Sequence, residues 1–466
     1  MSTAATQFGQ TGKTAPPRVL FVASTKSHGG IESHSVEMAA ALRRRGVPVL
    51  FACRPGGTVE AWSLERGIPA LPFSLRNSGD LNASRRLAWL IDAEDIDLVH
   101  AHSRRDYVVA VLGVALARRR PRLILHAHML RPLGEPPRAA GRFFAWGADA
   151  VAAVSGAVCD HLRQAHGFSP AFVHLIPNGI ALSQFARPGS PEAHSQRQAA
   201  RHAWGIPAGA VVVGMVGRLD AKGQAAGLEA VAALENPNIW CVFLGSEGEP
   251  GALADLEARA ARTGWSEQMV LTGPSTNIPA LLPGLDLLLH LPADEAFGLA
   301  LAEAMAAGLP TLATDIGGCR EVIRAGDTGL LVSLGDADAL KRALSELLDP
   351  VTGPERRAAF GREGRRTAVA VLSQDTQMDR LETLYAEVLA RPRATRSARV
   401  RGALPRVSLA AGGLALAACG LTTFLSVRHT RAVLPTRITH TRPHLVARRE
   451  HGFRVYRFVV SRGRPQ

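Results

Sequence analysis

Between residues 18 and 390, short apolar runs alternate with stretches in which apolar positions recur every three or four residues. The run at 18–24 (RVLFVAS) predicts a buried strand, and after a Gly-Gly turn the positions of Val36, Ala39 and Ala40 predict a helix over 31–45. Gly46 stops that helix, and 47–53 is the next strand. Further strands are expected at 97–102 (DLVHAH), 122–128 (RLILHAH), 149–155 and 172–176, with an apolar helix at 107–118. Continuous apolar strands separated by helices predict a parallel sheet covered on both faces.

Residues 186–195 (ARPGSPEAHS) read as a Pro/Gly/Ser-rich linker, after which the pattern restarts. Strands are expected at 210–217, 240–244, 270–271, 286–291, 310–314 and 329–332, and helices at 224–234, 298–307, 337–348 and 373–390. The fold class is therefore α/β, two doubly wound Rossmann-like domains at 18–185 and 186–372. A cleft is expected between them, with ligands outside the carboxyl ends of the strands.

The chain has 466 residues and a net charge of +14, distributed unevenly. Residues 1–190 carry 22 Lys+Arg against 13 Asp+Glu, 191–390 carry 16 against 26, and 391–466 carry 16 Arg against a single acid, Glu450. The strong basicity thus belongs to an Arg-rich tail of unassigned structure. Nucleic-acid binding would rest on that tail alone, and nucleic acid is not an expected partner. Its uncharged stretch 407–427 has the length of a membrane span, but three glycines and several Ser/Thr weaken it. The five cysteines are scattered without a CxxC pair, which excludes a disulfide framework and points to a reducing, cytoplasmic setting. Residues 1–17 lack a signal-peptide core and read as a disordered leader. Gly12-Lys13-Thr14 lacks the rest of a phosphate loop.

The chemistry concentrates at strand ends. Glu295 and Glu303 stand eight apart around Phe297-Gly298-Leu299 at a helix start, where exposed amides suit an anion and the carboxylates suit hydroxyl groups. Arg218 and Lys222 come just after the strand 210–217, offering a guanidinium fork and a point charge for a diphosphate. Gly29 and Gly30 sit between the first strand and first helix and permit close backbone approach to a ligand. His100, His102, His126 and His128 pair by twos on strand faces. With no clear carboxylate partner, they are read as buried or surface histidines, and no metal is expected.

Residues 18–390 resemble retaining glycosyltransferases of family 4, which have the GT-B fold. The stretch 294–303 resembles the family's E-x7-E signature. The stretch 304–310 (AMAAGLP), Gly317-Gly318-Cys319-Arg320-Glu321 and 326–332 resemble the family's sequence on the C-terminal side of that signature. The resemblance implies that Glu303 holds the ribose of a sugar nucleotide and Glu295 the donor sugar. It implies that the amides of Phe297, Gly298 and Leu299 face sugar and phosphates. Val216–Gly223 resembles the family's diphosphate-binding GR-L-x-x-x-KG, one residue shorter between Arg218 and Lys222. Gly29 and Gly30 resemble a donor- or acceptor-side Gly-Gly turn. His128 resembles the histidine beside the transferred sugar, with His126 the alternative register, and His102 one on the acceptor side. Pro177-Asn178-Gly179-Ile180 resembles a hinge element whose usual acid is Ala181 here. The helix 373–390 is expected to cross back to the N-terminal domain.

The expected activity is hexose transfer with retention, from a nucleoside diphosphate sugar to a hydroxyl of a glycan or lipid-linked acceptor, as in lipopolysaccharide or other cell-envelope glycan synthesis. No cofactor is expected. The expected site of action is the cytoplasm, with peripheral attachment to an anionic membrane surface. The alternative is a non-catalytic sugar-nucleotide-binding protein on the same scaffold. A nicotinamide-dependent oxidoreductase would need a G-x-G-x-x-G turn that is missing after the first strand.

Overall fold

The computed structural model describes residues 15–25, 29–130, 137–275, 277–392, 445–450 and 453–458. The chain divides into two compact units. One holds the residues up to Gly179 and those from Gln374, and the other holds Ile180–Ser373 and the C-terminal strands.

The first unit is a seven-stranded sheet of β1 (Val19–Ala23), β2 (Val49–Cys53), β3 (Ala70–Pro72), β4 (Leu98–Ala101), β5 (Arg122–Ala127), β6 (Ala150–Ala153) and β7 (Val173–Leu175). The order is β3-β2-β1-β4-β5-β6-β7, and every pairing is parallel. Its helices are α1 (Gly30–Arg44), α2 (Thr58–Glu65), α3 (Leu81–Ala93), α4 (Tyr107–Leu116), α5 (Pro137–Gly147) and α6 (Gly156–His166). All five residues of β1 and of β2 are buried, which a parallel strand covered on both faces requires.

The second unit carries α7 (Pro191–Trp204), α8 (Gln224–Ala232), α9 (Ala252–Thr263), α10 (Ile278–Leu281), α11 (Leu299–Ala306), α12 (Cys319–Val322), α13 (Ala337–Leu348) and α14 (Gly353–Val371). They surround β8 (Val211–Val216), β9 (Ile239–Leu244), β10 (Met269–Gly273), β11 (Leu287–His290), β12 (Thr311–Thr314) and β13 (Gly329–Val332). These strands are parallel, in the order β13-β12-β11-β8-β9-β10. An antiparallel hairpin, β14 (Leu445–Glu450) and β15 (Phe453–Phe458), pairs with the β10 edge at Leu271 and Tyr456.

The last long helix, α15 (Gln374–Ala390), returns to the first unit, where Met378, Leu381, Leu384 and Tyr385 join a core with Phe21, Met38, Leu42 and Phe51. In both sheets the strand order reverses at one place, between β1 and β4 and between β8 and β11. Such switch points are where open α/β sheets hold ligands.

Three differences from the sequence reading have local causes. The stretch 186–195 is not all linker. The Ser190 side chain caps α7 by accepting from the Ala193 amide, and Pro191 fills the first helical turn. Composition alone makes that Ser-Pro look like loop. The unit boundary falls at Gly179, six residues before the expected one, because Ile180 already pairs with Ser373 in the second unit. Helices α2, α3, α5, α6, α9, α10, α12 and α14 and strand β3 are additional to the expected elements, α3 being capped by Asp80 accepting from Ala83. The stretches 12–14 and 407–427 lie outside the described residues, and among the described residues no helix is long and apolar enough to cross a membrane.

Candidate active site

The residues of the second unit expected on the donor side gather at its switch point. Arg218 and Lys222 come after β8, and Glu295 to Glu303 after the adjacent β11. Lys222 Nζ lies 2.7 Å from Glu295 Oε2, joining the two motifs by an ion pair. The short loop between Arg218 and Lys222 is closed by Gln224, which is buried. Its amide donates to the Arg218 carbonyl at 2.8 Å, and its Oε1 accepts from the Lys222 amide at 3.0 Å. Arg218 keeps 58% of its side chain exposed and pairs with Asp220 at 3.5 Å.

A residue absent from the sequence reading completes this cluster. His290, at the end of β11 and 1% exposed, places Nε2 2.9 Å from Glu295 Oε2. Burial lowers the pKa of His290 against the pull of Glu295. It is therefore a neutral imidazole donating Nε2–H. Burial alone would raise the Glu295 carboxyl, but the His290 hydrogen bond and the Lys222 charge outweigh it and hold the group at about 2. Glu295 is thus an ionised carboxylate fixed from two sides. The signal in the sequence was a lone histidine ending an apolar run five residues before a glutamate.

Gly298, with φ +95°, caps α11 in the left-handed region and lets the loop turn directly into the helix. The amides of Gly298 and Leu299 belong to a helix start, where no preceding turn can accept from them. The Phe297 amide instead reaches Glu295 Oε1 at 3.4 Å. Gly318 braces this loop. Its amide donates to the Glu295 carbonyl at 3.0 Å, and a Cβ there would stand 2.3 Å from Phe297 Cα.

Glu303, on α11, contrasts with Glu295. Burial pushes its carboxyl up to about 7, with no cation beside it to offset the cost. Among the described residues no hydrogen bond or ion pair reaches its carboxylate. A desolvated, unpartnered acid suits a ligand that brings its own donors.

The remaining candidates belong to the first unit. Gly29 caps α1 with extended backbone, and Gly30 opens that helix. Glu32, in the first turn, accepts from Thr25 Oγ1 at 2.8 Å. His102 and His128 come after β4 and β5, both buried, with His102 Nδ1 3.2 Å from His128 Nε2. His102 is 1% exposed and does not itself line a surface. His126 is fully buried beneath them. His34 of α1, unassigned in the sequence reading, packs edge-on to His128 with ring centroids 6.4 Å apart. Burial lowers the pKa of all these imidazoles, so they are neutral.

Two parallel α/β units, with paired cations and acids at the second unit's switch point, have the architecture of the GT-B glycosyltransferases. The model described as Glycosyl transferases group 1 matches residues 196–367, and that described as Glycosyltransferase Family 4 matches residues 28–184. The chain belongs to glycosyltransferase family 4 and is a glycosyltransferase. A D-inositol 3-phosphate glycosyltransferase of Mycobacterium bovis is 28% identical over 410 residues, covering 80% of this chain and 82% of its own. One from Xylanimonas cellulosilytica is 26% identical over 381 residues, covering 73% and 88%. Among solved structures, Anabaena Alr3699/HepE in complex with UDP-glucose has a TM-score of 0.70 at 24% identity, covering 79% of this chain and all of that one. WaaG, a glycosyltransferase involved in lipopolysaccharide biosynthesis, has a TM-score of 0.59 at 18% identity, covering 80% and 100%. Both share the fold.

Proposed function

We propose that this protein transfers a hexose, with retention, from a nucleoside diphosphate sugar of the UDP type to a hydroxyl of a glycan or lipid-linked acceptor. The observation that carries the reading is the pair of unlike carboxylates on one loop and helix. Glu295 is ionised and held by His290 and Lys222, while Glu303 is desolvated and unpartnered. Glu303 takes the ribose hydroxyls. Glu295 takes hydroxyls of the donor sugar, with the amides of Phe297, Gly298 and Leu299 facing sugar and phosphates. Arg218 and Lys222 offset the charge that develops on the diphosphate as its bond to the anomeric carbon breaks. The acceptor oxygen bonds that carbon on the same face, and its proton passes to a diphosphate oxygen. His128 orients the transferred sugar. Gly29 and Gly30 approach the donor phosphates or the acceptor, and His102 belongs to the acceptor side.

The basic balance of residues 1–190 suits an anionic acceptor, and a lipid-linked one would bring the protein to the cytoplasmic face of a membrane. The relatives named for D-inositol 3-phosphate support a second reading, a small phosphorylated cyclitol as acceptor. Incubating the protein with UDP-hexoses and either acceptor class, and measuring release of UDP with product formation, separates the two. Donor hydrolysis compared among wild type, Glu303→Ala and Arg218→Ala separates an enzyme from a binding protein. Absent or equal turnover in all three would sink the transferase reading.

A further inference from the structure

We propose that His100, His102 and His126 in the first unit form a binding site for a d-block cation of the zinc or copper class. This goes beyond the glycosyl transfer above and departs from the expectation of no metal drawn from the sequence. Paired carboxylates were missing there, but the tertiary structure supplies a different reason for a cation.

The three rings share one face of the sheet. His100 and His102 are two apart along β4 and its end. The β4–β5 register, with Ala101 beside Leu125, continues to place His102 beside His126. Each imidazole is at most 1% exposed, and one ligand atom from each lies within 4.8 Å of the others. The hydrogen bonds of the cluster form two chains. Tyr385 Oη meets His100 Nδ1 at 2.7 Å, and His100 Nε2 meets His126 Nδ1 at 3.2 Å. Separately, His128 Nε2 meets His102 Nδ1 at 3.2 Å. The chains end at His126 Nε2 and His102 Nε2, both buried and without a partner. Buried ring nitrogens are nearly always satisfied, so two such orphans in one cluster ask for an occupant.

A cation held by His102 Nε2, His100 Nε2 and His126 Nδ1 satisfies the His102 orphan and takes the place of the His100–His126 hydrogen bond, with the proton of His126 then on Nε2. With Tyr385 and His128 accepting, His100 and His102 each carry the proton on Nδ1 and leave Nε2 as a bare lone pair. Metal-bound histidines commonly have such an outer partner on the second nitrogen. His100 Nε2 and His126 Nδ1 stand 3.2 Å apart. Two ligands about 2.0–2.1 Å from one tetrahedral zinc would be about 3.4 Å apart. The set is entirely imidazole, three buried histidines with no carboxylate or thiol among them. Imidazole donors favour zinc and copper over the oxygen-seeking cations. A cation on His102 would also fix the tautomer of His128, leaving its proton on Nδ1.

The test uses the full chain, unfolded, stripped with chelator and refolded with Zn2+, with Cu+ under reductant, or with neither. About one equivalent of one metal per chain is expected, with a melting temperature raised by roughly 5 °C over the metal-free protein. Co2+ in its place should give the visible absorption of a tetrahedral nitrogen-ligated centre. His102→Gln and His126→Gln should lose the metal. If either variant fails to fold, the wild-type content, melting shift and Co2+ spectrum decide alone. Less than a tenth of an equivalent with no melting shift would overturn the site and leave an ordered water or a bare imidazole stack. Metal retained in full by folded variants would overturn it equally.

Discussion

The sharpest prediction concerns the charge on Glu303. Burial pushes its carboxyl up to about 7, and no cation or donor of the described residues offsets this. In the ligand-free protein at pH 6, about one tenth of the molecules carry it ionised. Ribose hydroxyls donate to the ionised form, so binding must first remove the proton. The apparent Kd for UDP-glucose should therefore weaken about tenfold between pH 8 and pH 6. The diphosphate of a sugar nucleotide is a diester and does not titrate in that window, so the slope reports the protein. Glu303→Gln removes the charge and one acceptor. Hydrogen bonds to a charged group are worth about 1.5–3 kcal/mol, which gives about a 10- to 150-fold loss at pH 8. The variant should also lose the pH slope. Titration calorimetry from pH 6 to 8.5 on both proteins measures each quantity. A wild-type affinity flat across that range, or the same slope in the variant, would refute the role given to Glu303.

Other substitutions probe the framework. Asp286 accepts from Arg197 at 2.6 Å, from Arg201 at 2.5 Å and from the Val212 amide at 2.7 Å, so Asp286→Asn should cost about 3–5 kcal/mol in urea unfolding. Leu381→Ala removes a fully buried side chain of α15 from the first unit's core and should cost about 2–5 kcal/mol by the same measurement. Gly318→Ala forces a Cβ against Phe297 Cα and should displace the Glu295 loop, costing about 1–3 kcal/mol. Calorimetry should show weaker UDP-glucose binding in that variant, and unchanged affinity would count against the bracing role. His290→Leu leaves Glu295 with Lys222 and the long Phe297 amide contact, so its carboxyl should rise from about 2. Carbon-13 NMR of labelled glutamate would track that shift, and an unmoved titration would count against the hydrogen bond.

Much of the fold was legible in the chain itself. Residues 19–23 and 49–53 are unbroken apolar runs because a parallel strand must be apolar on both faces, and that period reads without neighbours. The start of helix α7 reads as linker because Ser190 and Pro191 have turn chemistry in sequence and become a cap only when Ala193 turns back to meet the side chain. The candidate acids and cations could be named as well, since Arg218, Lys222 and Glu295 follow strand ends and Glu303 lies on the next helix, and a family resemblance singles them out.

Sequence could not assign those residues their partners. Lys222 and Glu295 are 73 positions apart and meet at 2.7 Å only because β8 and β11 lie side by side. The unlike environments of Glu295 and Glu303, one carboxyl held at about 2 and the other pushed up to about 7, arise from burial and from where His290 ends its strand. By itself the sequence determined two doubly wound units and the residue types at their switch points, because apolar period and turn chemistry are local. Charge states, the Gln224 closure of a shortened loop and the buried imidazole cluster were decided by the tertiary structure. Desolvation and hydrogen bonding depend on which distant strands become neighbours.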